Sequence, residues 1–419
     1  MLNGPFSPWP SFSQEESDAV SRVLFSNKVN YWTGQEGREF ERELAAFAGT
    51  EYAIAVANGT LALDLALQGL GIGAGDEVVV TPRTFLASAT SVINAGATPV
   101  FADVDAETQN ITPKSVAAVI SPNTKAVVCV HLAGWPCDMD GFMALAEKHD
   151  LFIIEDCAQA HGATYKGKPV GGLGHVGCWS FCQDKIMSTG GEGGMVTVND
   201  RDLWSRMWSF KDHGKSWNAV YEREHPPGFR WLHESVGTNW RLTEMQSAIG
   251  RIQLQRMPEW TSARQTHCRA IWETAAALPG LRVPVVPEEI GHAGYKCYVF
   301  VDEAVVNEPV AEVRDRIMNA IVAEGVPCFS GSCSEVYLEK AFTDLGLGPQ
   351  ERLPVAKTLG ESALMFLVHP TLTTAEVDKT CEVLRRVMSS DVGLRPSASL
   401  CPWVNTTYAR LLCVCGLKA

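Results

Sequence analysis

The chain has 419 residues, of which 46% are apolar and 20% charged, so it can bury a large core and exceeds one small domain. The formal net charge of −13 argues against a nucleic-acid partner, because phosphate backbones require clustered Lys and Arg. A small molecule that carries a phosphate is compatible with this charge, since one local positive pocket is enough to bind it.

Short apolar runs alternate with helical patterns from about residue 50 to residue 200. The predicted strands are EYAIAVAN, DEVVVTP, ATPVFADVD, TKAVVCVHL, LFIIEDC, GCWSFC and GGMVTVND. The helical patterns between them are GTLALDLALQGLG, TFLASATSVINAG and DGFMALAEKH. Apolar, β-branched runs that alternate with helices indicate an α/β fold with a mostly parallel sheet covered on both faces.

A long helical pattern follows Asn239 and ends near Pro279. Beyond it we predict one strand, YKCYVFVD, and two helices, VAEVRDRIMNAIVAEG and TAEVDKTCEVLRRVM. We therefore assign an N-terminal arm and large domain to 1–255 and a smaller α+β C-terminal domain to 256–388. The tail 389–419 has no periodicity that we can assign.

The first motif with chemical potential is Asn58-Gly59-Thr60, between the first predicted strand and helix. Gly59 lets the backbone approach a ligand closely, and the free N–H groups at a helix start can bind phosphate. Thr60 adds a hydroxyl group. An ordinary helix cap has the same pattern, so the motif alone does not indicate a ligand.

Asp156 ends an apolar strand at the predicted carboxyl edge of the sheet, where open α/β folds bind ligands. A salt bridge and a metal ligand are two interpretations of this carboxylate. In enzymes that use pyridoxal 5′-phosphate (PLP), such a carboxylate keeps the pyridine nitrogen protonated, so that the ring accepts electrons. Gln159 and His161 follow closely enough to face the same cleft, although His161 also suits a buried core position.

Lys185 follows a predicted strand and precedes the glycine-rich stretch GGEGG at 190–194. A lysine that forms a Schiff base needs a sheltered site, and glycines allow a tight backbone path beside a flat cofactor. Ser180 ends the strand and can bind phosphate. A lone lysine near glycines is more often a solvated surface residue. A phosphate-binding motif, a strand-end Asp and a later Lys together favour a PLP site.

The cysteines and the N-terminus predict a soluble, cytoplasmic protein. Thirteen cysteines, an odd number, are scattered through apolar runs, which is typical of free thiols in a reducing compartment. No Cys/His group has the spacing of a zinc site, and we interpret the pair Cys413 and Cys415 as incidental. The chain starts without the pattern of a signal peptide, and no run of about 20 apolar residues would span a bilayer. We therefore expect neither a metal nor a membrane partner.

Several long motifs resemble, in order, the DegT/DnrJ/EryC1/StrS sugar aminotransferases of the aspartate aminotransferase superfamily. They are WTGQEGREFERELAAFAG, NGTLALDLAL, GIGAGDEVVVTPRTFLAS, AGATPVFADVD, HLAGWPCDMD, IEDCAQAHGATYKGKPVGGLG, SFCQDKIMSTGGEGG and NWRLTEMQSAIG. The resemblance is close over residues 31–255 and looser beyond. It implies the PLP-dependent transferase fold type I, in which a mostly parallel, seven-stranded sheet forms the large domain.

The resemblance also implies a role for each matching residue. Lys185 would form the Schiff base with PLP and then move protons as a general acid and base. Asp156 would pair with the pyridine nitrogen, and Gln159 would contact the hydroxyl side of the ring. The residues that would hold the phosphate are Gly59, Thr60 and Ser180.

Two further residues have implied roles. Phe85, in TPRTFLAS, would stack on the cofactor ring. Asn239, in GTNWRLTE, would reach the cofactor of a partner subunit, because the family forms dimers with shared sites. We therefore predict a homodimer. Related sugar dehydratases carry His at the position of Lys185, which disfavours that activity here.

The segments that face the substrate in the family differ from its usual pattern. Lys296 stands where we expect a histidine, the loop VPCFSGSCSEVYLEKAF lacks one, and Val368 replaces a proline before His369. These departures bear on the identity of the substrate and leave the cofactor chemistry intact.

We predict transfer of an amino group from glutamate to a keto group of a nucleotide-linked deoxysugar, in polysaccharide, O-antigen or natural-product sugar biosynthesis. One alternative is an aminocyclitol aminotransferase of the scyllo-inosose type. Another is a non-catalytic binding or regulatory protein that keeps the fold. The presence of both Lys185 and Asp156 argues against the last alternative.

Overall fold

A computed structural model describes residues 5–390 of the chain. Most of the predicted tail, with the pair Cys413 and Cys415, lies outside the described residues. The helices are α1 (Gln14–Ser26), α2 (Glu36–Ala48), α3 (Gly59–Gly69), α4 (Ala87–Asn94), α5 (Pro113–Ala117), α6 (Met139–His149), α7 (Arg201–Lys211), α8 (Glu244–Ala276), α9 (Val310–Ala323), α10 (Lys340–Thr343), α11 (Pro354–Ser362) and α12 (Thr374–Met388).

The strands form three sheets within these residues. They are β1 (Tyr52–Val56), β2 (Glu77–Val80), β3 (Thr98–Phe101), β4 (Thr124–Val130), β5 (Phe152–Asp156), β6 (Thr164–Tyr165), β7 (Lys168–Pro169), β8 (Val176–Ser180), β9 (Gly194–Val198), β10 (Leu281–Arg282), β11 (Ile290–Gly291), β12 (Cys297–Val301), β13 (Cys328–Phe329) and β14 (Ala363–Phe366).

The large sheet has seven strands in the order β1-β9-β8-β5-β4-β2-β3. The neighbours from β8 to β3 run parallel, whereas β9 pairs antiparallel with both β8 and β1. β1 therefore points in the same direction as β8, and six of the seven carboxyl ends meet at one edge. The prediction of an α/β fold with a mostly parallel, seven-stranded sheet is confirmed.

The sheet is buried on both faces, as its continuous apolar runs require. Along β2, Val78 and Val80 pack into one apolar cluster and Val79 packs into another, because side chains alternate across a strand. Helices α3 and α7 contact the sheet at β1 and β9, and α2 also packs on β1. The strands of the large sheet are thus packed between helices, and this packing fixes their carboxyl ends relative to one another.

Helix α8 links the large sheet to the C-terminal part of the chain. It starts at a capping box, in which the Thr243 side chain accepts a hydrogen bond from the Gln246 N–H. Its C-terminal half packs with α9 and α12 against a four-stranded sheet in the order β10-β12-β14-β13. The proposed boundary between residues 255 and 256 lies within α8. No helix within residues 5–390 is long and apolar enough to cross a membrane.

Candidate active site

A cavity of about 500 Å³ lies at the carboxyl edge of the large sheet. The segments that follow β1, β2, β5 and β8 form its walls, which is the position where open α/β sheets bind ligands. Seven of the eight predicted site residues line it: Gly59, Thr60, Phe85, Asp156, Gln159, Ser180 and Lys185. Residues up to 126 positions apart in sequence therefore converge on one cavity.

The N-terminus of α3 faces this cavity. Asn58 is extended at the helix cap, and its side chain accepts a hydrogen bond from the Leu61 N–H at 3.0 Å. The backbone of Gly59 lies so close to β8 that a Cβ there would be 2.5 Å from the Ser180 Cβ. Only glycine fits at this contact. The first N–H groups of α3 and the Ser180 hydroxyl therefore lie side by side.

Asp156 is held rigidly at the end of β5. Its Oδ2 accepts a hydrogen bond from the Ser88 hydroxyl at 2.7 Å, and its Oδ1 accepts one from the Ala158 N–H at 3.1 Å. The neighbouring Gln159 is also fixed, because its Oε1 accepts a hydrogen bond from the Ala133 N–H at 2.9 Å. Both side chains are buried yet border the cavity.

Lys185 lies opposite, with 12% of its side chain exposed. Its Nζ is 3.9 Å from the Asp184 carboxylate and 5.3 Å from the centre of the Tyr295 ring. The Tyr295 hydroxyl donates a hydrogen bond of 2.6 Å to the same carboxylate. The Trp9 indole N–H donates to the Lys185 backbone carbonyl at 2.8 Å. The lysine is therefore sheltered by an N-terminal residue and by the C-terminal part of the chain.

The glycine-rich stretch after Lys185 makes a tight path that only glycine adopts readily. Gly190 and Gly191 have φ values of 87° and 123°, in the left-handed region. Glu192, between the glycines, lines the cavity.

The two remaining site predictions have different outcomes. Phe85 lines the cavity at its mouth, where 67% of the residue is exposed. Asn239 does not line this cavity; it pairs through its backbone with Asp212 and its side chain is exposed. Its predicted contact with a partner subunit stays a prediction.

His161 does not line the cavity. It is buried against the rings of Trp179 and Phe181, and burial, with the charges of Lys185 and Arg264, lowers its pKa to about 3. Of its two interpretations, the structure favours the core position.

Sequence reasoning missed several cavity residues, among them Thr84, Ser88, Asp184 and Glu192. Ser88 lies three residues after Phe85 in the motif TPRTFLAS, so helical spacing could have indicated it. Asp184 and Glu192 lie beside residues that were predicted. Trp9 and Tyr295 come from distant segments and carry no local signal.

A second cavity of about 490 Å³ adjoins the first, because Asp184 lines both. Its walls include the N-terminal residue Trp9, the two positions Lys296 and Val368 that depart from the family pattern, and the retained His369.

The described residues also contain a buried group with the composition of a metal site: His131, Glu155 and Cys157. The His131 Nε2 lies 3.0 Å from Glu155, and its Nδ1 accepts a hydrogen bond from the Cys137 N–H. Glu155 also accepts three backbone N–H groups, from 171, 173 and 174. Protein partners thus occupy the ring nitrogens and the carboxylate, as in a group that stabilises the fold.

The residues of the first cavity fit PLP. The close approach at Gly59 places the first N–H groups of α3 beside the Ser180 hydroxyl, a suitable arrangement for holding a phosphate. A carboxylate at one wall suits a protonated pyridine nitrogen, and a sheltered lysine amine suits the aldehyde.

Comparison with known proteins agrees with this geometry. Residues 10–385 match the DegT/DnrJ/EryC1/StrS aminotransferase family. The chain belongs to this family. Its members are PLP-dependent aminotransferases, so the predicted enzyme class and cofactor are confirmed.

Individual relatives cover almost the whole chain. The crystal structure of an aminotransferase from Psychrobacter cryohalolentis superposes with a TM-score of 0.90 at 64% identity, covering 92% of this chain and 99% of that one. The UDP-N-acetyl-3-dehydro-α-D-glucosamine 3-aminotransferase of Acidithiobacillus ferrooxidans is 36% identical over 92% of this chain and 96% of its own length. GDP-perosamine synthase of Caulobacter vibrioides is 36% identical over 90% and 97%.

Proposed function

We propose that this enzyme transfers an amino group from glutamate to a keto group of a nucleotide-linked sugar. Two full-length relatives, at 36% identity each, are named for nucleotide-linked sugars, which supports this class of acceptor. The observation that carries the proposal is the first cavity, in which a sheltered lysine faces a rigidly held carboxylate across a glycine-lined phosphate cradle.

Each residue of the first cavity has a separate role in holding the cofactor or in moving a proton. When bound, PLP supplies an electron sink for the carbon that loses or gains a proton. The Lys185 amine would hold the cofactor through its aldehyde and would move that proton, since Nζ lies within the cavity and is largely shielded from water. The Asp156 carboxylate, fixed by Ser88, would keep a proton on the ring nitrogen. Gly59, Thr60 and Ser180 would hold the phosphate.

The remaining roles concern the ring and the surroundings. Phe85 and Gln159 line the cavity. Phe85 would stack on the ring, and Gln159 would contact its hydroxyl side. Ten unpaired cysteines among the described residues support a reducing, cytoplasmic location for the reaction.

Spectroscopy combined with an acceptor panel tests the proposed function. The purified protein is expected to show a visible absorption band from bound PLP, which glutamate bleaches or shifts. Turnover is then measured with a panel of nucleotide keto-sugars and with scyllo-inosose. Turnover of inosose alone would favour the aminocyclitol alternative. A PLP band that no amino donor changes would favour a non-catalytic protein.

We also propose that the active unit is a homodimer with shared sites. Asn239 is exposed and lies outside its own subunit's cavity, so a partner can receive it. The same segment exposes large apolar residues: Phe229 by 78%, Trp231 by 79% and Val236 by 90%. Exposed apolar residues in one segment are typical of an interface.

A mixing experiment tests this arrangement. Asn239→Ala and Lys185→Ala subunits are each expected to be inactive or weakly active alone. In a mixed dimer both changes fall in one site and the other site is intact, so mixing should restore part of the activity. No restoration, or a fully active monomer in sedimentation, would contradict shared sites.

A further inference from the structure

Arg264, on α8, is a buried cation without an anionic partner among residues 5–390. The residue is 2% exposed, and no salt bridge within the described residues includes it. In the part of the chain that the structure describes, its Nε and Nη2 have no hydrogen-bond partner, and its Nη1 makes one long contact of 3.4 Å with the Gly294 carbonyl. Burial lowers the pKa of Arg264 to about 10, which still leaves the guanidinium charged at neutral pH. An uncompensated buried charge destabilises a fold, so an anion bound next to the Arg264 guanidinium would stabilise the protein.

The two unpartnered nitrogens, Nε and Nη2, are the pair through which an arginine binds both oxygens of a carboxylate. This chain contains an example in Arg251, whose Nε and Nη2 both bind the Glu43 carboxylate, at 2.8 to 3.1 Å. A planar guanidinium matches a planar carboxylate through two parallel hydrogen bonds. Arg264 presents the same pair of donors with no carboxylate against them.

The surroundings of Arg264 form a built cavity next to the reacting lysine. Arg264 lines the second cavity, which shares Asp184 with the first, and the Asp184 carboxylate is 3.9 Å from the Lys185 Nζ. Lys296 adds a second cation to the wall. The one acidic wall residue, Asp184, already accepts the Tyr295 hydroxyl. Positive charge therefore predominates here.

The remaining walls are mostly apolar, and they suit a short aliphatic chain better than a strongly hydrated phosphate. They include Phe6, Pro8, Trp9, Phe329, Met365 and Leu367, whereas Ser7, Tyr295 and His369 contribute the polar atoms. A donor such as glutamate has two methylene groups between its α-carbon and its side-chain carboxylate. Its carbon chain can therefore lie along these residues while the carboxylate meets the cations.

We propose that Arg264, assisted by Lys296, binds a carboxylate of the amino donor in the second cavity. This inference rests on the proposed function, because it assigns the amino donor of that reaction to the second cavity. The Trp9 ring lies 5.0 Å from the guanidinium, and packing covers both free nitrogens. A carboxylate therefore reaches these two nitrogens only when this packing shifts.

Calorimetric titration with glutarate tests the site apart from turnover, because glutarate has both carboxylates of glutamate and no amino group to react. The holoenzyme should bind glutarate, and Arg264→Gln should weaken binding by roughly 10- to 100-fold, the range for a charged hydrogen-bonded pair. Arg264→Lys keeps the positive charge but lacks the two parallel donors of the guanidinium. Its affinity for glutarate should therefore lie between those of the unchanged protein and Arg264→Gln. The matched control is Arg269→Gln, an exposed arginine on the same helix, which should bind glutarate as the unchanged protein does.

Kinetics then identify which substrate uses the site. Arg264→Gln should raise KM for glutamate and leave KM for the keto-sugar unchanged. Unchanged glutarate affinity in both Arg264 variants would overturn the inference. So would inorganic phosphate that displaces glutarate and competes with the keto-sugar, because the site would then serve the acceptor.

The two proposals can fail separately. If transamination occurs but Arg264 affects neither glutarate affinity nor KM for glutamate, only this inference fails. If glutarate binding depends on Arg264 but no amino donor is turned over, the proposed function fails and the carboxylate site stands as a ligand site.

Discussion

Gly59→Ala tests how the phosphate cradle is built. The added Cβ would lie 2.5 Å from the Ser180 Cβ and 2.9 Å from its Oγ. Non-bonded carbon atoms pack at about 3.5–4.0 Å, so the start of α3 must move from β8 by about 1 Å. Overpacking of this kind costs about 1–3 kcal/mol, partly offset by the gain of about 0.4–1 kcal/mol when Gly becomes Ala.

The same displacement should weaken cofactor binding. The N–H groups of α3 and the Ser180 hydroxyl would no longer converge on one phosphate, and a hydrogen bond to a charged group contributes about 1.5–3 kcal/mol. We therefore expect the Kd for PLP to rise roughly 10- to 100-fold. Titration of the apoprotein with PLP, followed by absorbance, measures this change, and urea unfolding measures the loss of stability.

Gly73→Ala is the matched control, because a Cβ at Gly73 meets only the Ala95 carbonyl oxygen at an ordinary 3.5 Å. It should leave PLP affinity unchanged. A Kd for Gly59→Ala within twofold of the unchanged protein would show that the contact between Gly59 and Ser180 does not shape the phosphate site, as would an equal loss of PLP affinity in both variants.

Two further substitutions test the rest of the architecture. Asp156→Asn should slow transamination about 100-fold or more, roughly 2.7 kcal/mol of barrier, with a smaller effect on PLP affinity; near-normal single-turnover rates would show that another group holds the ring proton. Glu155→Gln should destabilise the fold by about 3–5 kcal/mol in urea, because it breaks a buried pair with His131, whereas exposed Glu147→Gln should not. Burial raises the pKa of Glu155, but His131 and backbone N–H groups hold it below its usual value. The stabilisation by Glu155 is therefore present at neutral pH and lost as the pH falls through its folded-state pKa. The difference in unfolding free energy between the unchanged protein and Glu155→Gln should accordingly shrink in acid. A difference that grows in acid would contradict the stabilising role of the ionised Glu155.

Much of the fold follows from local pattern. The β-branched runs predict β2, β4 and β5, and the capping residues Asn58 and Thr243 lie where α3 and α8 begin. The antiparallel direction of β9 is not encoded in this way, because a strand buried on both faces has the same apolar run in either direction. The two-residue strands β6, β7 and β11 are too short to leave a periodic signal.

The same distinction applies to the candidate site: residues that sheet topology places were predicted, and residues that only tertiary packing places were not. Asp156 and Lys185 follow strands, so topology alone brings them to one edge. Arg264 lies within a long helical pattern, and nothing in its spacing indicates that it lacks a partner. Trp9 and Tyr295 reach the lysine from segments 176 and 110 residues away in sequence, and only tertiary packing brings them there.

Chemical trapping identifies the lysine that binds the cofactor. Borohydride reduction of the PLP-loaded protein, followed by peptide mapping, should place the pyridoxyl group on Lys185, and Lys185→Ala should carry no label at that peptide. Lys211, which is buried beside Glu41, and Lys166, which is exposed beside Asp140, are internal controls in the same digest. A pyridoxyl group on either of them, with Lys185 unmodified, would rule out Lys185 as the Schiff-base residue.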